Sequence, residues 1–97
     1  MYKATDEQIK AWKEQYGTVF YITAPNANKA AYLRSPSRKT MSFVGQIKDP
    51  MKFNEALLKN CWIEGDQEMQ TNDSIFMGLS DKLAMVLDFE ETKLEKL

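Results

Sequence analysis

Cys61 is the only thiol in the chain, and a thiol becomes a nucleophile only where a neighbouring group favours its thiolate. The sequence contains no histidine. That removes in one step the commonest general base, the usual zinc ligand and every Ser-His or Cys-His nucleophile pair. Cys61 instead continues a helical stripe begun by Phe53 and Leu57. This spacing turns it inward, and free cysteine is among the most buried residue types. An unpaired cysteine also makes no internal disulfide, which fits a reducing compartment.

Two charged clusters invite other chemistry. Glu64, Asp66, Glu68 and Asp73 are the residue types that bind calcium or form the carboxylate pair of a glycoside hydrolase. Their spacing does not reproduce an EF-hand loop, and a hydrolase needs a cleft that a chain this short does not readily enclose. The acidic residues are therefore expected on a solvated loop. Arg34, Arg38 and Lys39 are interleaved with Ser35 and Ser37 around Pro36. If Ser37 caps a helix, these cations surround its N-terminus, where free amide N–H groups also attract anions. A phosphate or an acidic protein patch could dock there, giving a small regulatory module that binds nucleic acid or an acidic partner. Exposed, solvated charge is the simpler reading.

The elements that would position these residues follow from periodicity and capping. Thr5 and Gln8 form a capping-box pattern, and Ile9, Trp12 and Tyr16 recur at helical spacing up to Gly17, predicting a helix over residues 5–16. Thr18 to Thr23 is dense in β-branched and aromatic residues, Pro25 to Asn28 are turn formers, and Lys29 to Arg34 reads as the returning strand of a β-hairpin. Ser37 then begins a second helix carrying Met41, Val44 and Ile47, weakened at Gly45. Asp49-Pro50 restarts a third, with Phe53, Leu57, Leu58, Cys61 and Trp62 inward until Gly65. Residues 64–70 carry no sustained period and read as a surface loop. Asn72 or Asp73 caps a last helix with Ile75, Phe76, Leu79, Leu83, Val86 and Leu87 on one face; residues 89–97 extend it or fray. The expected fold is α+β: an N-terminal helix, one hairpin, then three or four mainly amphipathic helices packed on it in a single domain, residues 1–97.

Composition bounds the function. The net charge is -1, which gives no general attraction to phosphate backbones, so nucleic acid is an unlikely partner. No apolar run approaches the roughly 18 residues of a membrane span. The first residues lack a signal peptide's apolar stretch, which places the chain in the cytoplasm. With no phosphate loop and no metal-ligand spacing, no cofactor or metal is expected, and the chain reads as a binding protein rather than an enzyme. Most of Trp12, Trp62, Tyr21 and Tyr32 are expected to fill the core, although aromatic residues also anchor interfaces. Core filling is likewise the ordinary use for most of the six methionines, although any exposed ones, among Met41, Met69, Met77 and Met85, would be adaptable contacts. The outer edge of the hairpin and the Leu94-Leu97 pair are the better interface candidates, with a homo-oligomer as one outcome.

The run Tyr32-Leu33-Arg34-Ser35-Pro36-Ser37-Arg38-Lys39-Thr40, a strand followed by Arg-x-Pro, a hydroxyl, Arg-Lys and a helix, resembles the tail assembly chaperones of long-tailed phages, particularly the XkdN-like group. Asp49 to Trp62 is similar to that group's following helix, which runs from an acidic start through a leucine pair to a cysteine. The likeness spans most of residues 18–88 in pattern and order. It implies a non-enzymatic protein in the cytoplasm of a bacterial host. Such a protein binds the tape measure protein or a similar helical client, keeps its apolar helices from aggregating and helps recruit tail tube subunits. The resemblance also implies that this chain is the shorter of two products of a programmed frameshift.

Overall fold

A computed structural model describes all 97 residues. The first helix, α1 (Asp6–Tyr16), begins at the capping box: the Thr5 hydroxyl accepts from the Gln8 N–H, and the Gln8 side chain accepts from the Thr5 N–H at 2.9 Å. Gly17, at φ 84°, ends it in a conformation open mainly to glycine. The chain then enters β1 (Val19–Ala24), turns through a short 3-10 segment (Pro25–Ala27) with Asn28 in the left-handed region, and returns as β2 (Lys29–Arg34). The two strands pair antiparallel with Tyr21 opposite Tyr32 and Ile22 opposite Ala31.

Alternation divides the sheet into two faces. Phe20, Ile22, Ala24, Ala31 and Leu33 join the main core on one face. On the other, Tyr21 and Tyr32 stack with ring centroids 4.6 Å apart, and Trp12 of α1 and Tyr2 reach the Tyr32 ring at 5.2 and 6.1 Å. The Tyr32 hydroxyl accepts from the Ala4 N–H, and the Tyr21 hydroxyl donates to the Tyr2 carbonyl. These polar tips let tyrosine, rather than phenylalanine, hold the N-terminal segment across the sheet. Trp12 and Tyr21 are accordingly not core residues in full: Trp12 is half-buried and Tyr21 is 45% exposed.

Ser37 caps α2 (Arg38–Val44), accepting from the Thr40 N–H, and Gly45 closes the helix, leaving Ile47 beyond its end. Asp49 caps α3 (Pro50–Cys61) by accepting from the Met51 and Lys52 N–H groups, with Pro50 in the first turn where no donor is needed. Asn72 caps α5 (Asp73–Leu83), which continues into a 3-10 turn (Ala84–Val86). Leu57, Leu58 and Cys61 from α3 and Phe76, Leu79 and Leu83 from α5 meet the sheet in the core. Each fully buried leucine contributes roughly 1.5–3 kcal/mol through removal of apolar surface from water.

Residues 62–71 depart from the sequence expectation. Instead of the third helix running on to Gly65 and a surface loop over residues 64–70, the chain leaves α3 at Cys61 and forms a third strand, β3 (Trp62–Gly65), and a short helix, α4 (Glu68–Thr71). β3 pairs antiparallel with β2, so the hairpin grows into a three-stranded sheet ordered β1-β2-β3, with a bulge where Ile63 is accommodated between Tyr32 and Leu33. Met69 of α4 is fully buried among the core residues. The remainder of the α+β expectation holds, with four helices following the hairpin. Residues 89–97 form neither helix nor strand and are exposed throughout.

Candidate partner-binding surfaces

The basic cluster is not one free anion site. Arg34 is half-buried, its guanidinium lying over the Tyr16 ring at 5.1 Å from the centroid, so this cation ties β2 to α1. Such contacts contribute about 0.5–1 kcal/mol at exposed sites. Arg38 and Lys39 are exposed in the first turn of α2. That helix has only 7 residues.

The acidic cluster also separates by role. Asp66 sits directly after β3, where one carboxylate oxygen accepts from the Ala30 N–H at 2.9 Å and the Tyr2 N–H at 3.0 Å. The Asp66 N–H donates to the Ala30 carbonyl in return. These backbone donors, Ala30 first, hold its carboxyl below the usual aspartate range. Glu68 meets Lys29 at 3.6 Å across a solvent-exposed gap, an ion pair of little energetic weight. Nowhere do three His, Cys, Asp or Glu side chains gather as a metal ion would require. Cys61 is fully buried, and burial raises its thiol pKa to about 11. It is core filler, as its helical spacing indicated.

Several large apolar side chains remain on the surface. Leu94 and Leu97 are fully exposed, and Phe89, Met85 and Met77 are each more than half exposed. Met77 and Met85 lie on the outer side of α5 and its 3-10 extension, opposite the buried Phe76, Leu79 and Leu83. The methionines depart from the core expectation: Met1, Met51, Met77 and Met85 are outside, and only Met69 is buried. A groove of about 510 Å³ runs between the α2 side of the molecule and α3, α4 and α5. It is lined by Phe43, Leu58 and Phe76 and edged by Lys52, Lys59 and Asp73. Phe43, 57% exposed, projects at its mouth.

Leu94 and Leu97, expected from the sequence as interface candidates, are fully exposed and lie outside any helix or strand. The sequence singles out neither Phe89, which falls in the charged final segment, nor Phe43, which lies between the Met41 and Val44 positions of the α2 stripe. No protein-family model, curated protein or solved structure matches the chain.

Proposed function

We propose that this chain is a non-enzymatic binding protein that holds an amphipathic helical client, of the kind the phage tail assembly chaperones hold in the tape measure protein. The observation carrying this reading is the set of exposed apolar side chains at the C-terminal end: Met77, Met85, Phe89, Leu94 and Leu97. A client helix with an apolar stripe gains by covering such residues, and unbranched methionine adapts to stripes of differing shape. The Tyr32–Thr40 and Asp49–Trp62 patterns point to the tail assembly class. A bacterial cytoplasm is the setting that class implies.

The test is co-expression with the protein encoded immediately downstream, followed by co-purification at low and high salt. An apolar interface survives high salt and keeps the client soluble, since burial of apolar surface does not depend on charge screening. Loss of the complex at moderate salt would instead favour an electrostatic partner at Arg38 and Lys39. Failure to bind at either salt contradicts the reading.

A further inference from the structure

The two edges of the sheet are built differently. β3, at one edge, is only 4 residues long, is bulged against β2 and carries the exposed Glu64. Shortness, a bulge and a charge are the usual devices that stop a free edge from pairing. β1, at the other edge, is 6 residues long and reads Val-Phe-Tyr-Ile-Thr-Ala, with no charged residue, no proline and a regular register to β2 along its length. No strand pairs with its outer side.

The side chains on β1 fit a second copy of the same strand. We propose that two chains pair antiparallel through β1, about a twofold axis at Tyr21, to make one six-stranded sheet. This register sets Tyr21 opposite its own counterpart, Phe20 opposite Ile22 and Val19 opposite Thr23. These are aromatic-aromatic, aromatic-β-branched and β-branched pairs, the kinds that stabilise neighbouring strands. No like charges are opposed. The pairing also continues an arrangement already in place: the Tyr32-Tyr21 stack runs across the sheet and stops at the edge, where Tyr21 is still 45% exposed. A second copy prolongs that stack across the axis, while Phe20 and Ile22 extend the core face. The contact is self-complementary and closed, so it ends at a dimer.

The test is sedimentation of the full wild-type chain from about 1 to 100 µM, a range that spans ordinary self-association, joined to disulfide trapping. Residues facing each other across antiparallel strands have Cα atoms about 4.5–5.5 Å apart, within reach of a disulfide. Thr23 and its own counterpart would be about 13 Å apart along the strands, beyond that reach. The native Cys61 is buried and adds little background. The expected result is a wild-type dimer, with Tyr21→Cys cross-linking readily under mild oxidation and Thr23→Cys lagging by on the order of tenfold or more. Should circular dichroism show Tyr21→Cys unfolded, mixed Val19→Cys and Thr23→Cys chains carry the same test: they cross-link with each other and not with themselves. A wild-type chain monomeric at 100 µM, equal trapping at 21 and 23, or no Val19-Thr23 cross-link overturns the proposal.

Discussion

At the scale of single residues, Cys61 and Asp66 show how position decides chemistry. Cys61 lies in the core with its pKa raised to about 11 by desolvation. Its thiol should react with a disulfide reagent at pH 8 only as fast as the chain opens. Rapid labelling of the native chain would contradict its burial. Because burial raises the folded pKa above the ordinary thiol value of about 9, the unfolded chain releases this proton first. Stability therefore falls as pH rises from 9 towards 11, and Cys61→Ala should flatten that decline in urea titrations. Asp66 carries the opposite sign. Its folded pKa is depressed by the Ala30 and Tyr2 N–H groups, so its contribution is fully present above the ordinary aspartate pKa and is lost as pH falls through the folded value. Asp66→Ala should lower the melting temperature at pH 7, and the gap to wild type should narrow below pH 4. A gap independent of pH would remove the carboxylate from this role.

At the scale of elements, what was legible is what local chemistry dictates. Thr5, Ser37, Asp49 and Asn72 each cap the helix they precede, because a short polar side chain before an apolar stripe satisfies free N–H groups whatever the tertiary context. β3 was not legible. Four residues directly after a helix, with no intervening turn signal, give too little alternation to read. Asp66 was equally hidden, since its partners Ala30 and Tyr2 are distant in sequence. Gly65 reads from sequence as a stop, but a Cβ there would lie 2.5 Å from the Ala31 Cα, so the strand pair requires its absence. Gly65→Ala should destabilise the fold by about 1–3 kcal/mol in urea unfolding, the usual range for overpacking. Gly78, inside α5, has open space where its Cβ would go. There the same change should stabilise by roughly 0.5–1 kcal/mol through backbone entropy and helix propensity. Equal effects at both glycines would contradict this account of β3.

At the scale of the whole molecule, surface exceeds what a closed domain would expose. The chain presents 7250 Å², against roughly 5,700 Å² for a compact monomer of its mass. Its radius of gyration is 14.7 Å, where a compact chain of this length has about 13 Å. Two parts account for the excess: α1 buries no residue completely, and residues 89–97 are exposed from end to end. The core is built from β1, β2, α3, α4, α5 and its 3-10 extension, so the final segment should contribute little to folding. Its apolar residues are the ones that the proposed client would cover. The most direct measurement is removal of residues 89–97 from the chain, read by thermal unfolding and by client co-purification together. The expected result is a melting temperature within a few degrees of wild type, corresponding to less than about 0.5 kcal/mol, with loss of the salt-resistant complex. A truncated chain that still holds its client at high salt would contradict the central claim that this apolar end is where the partner is held.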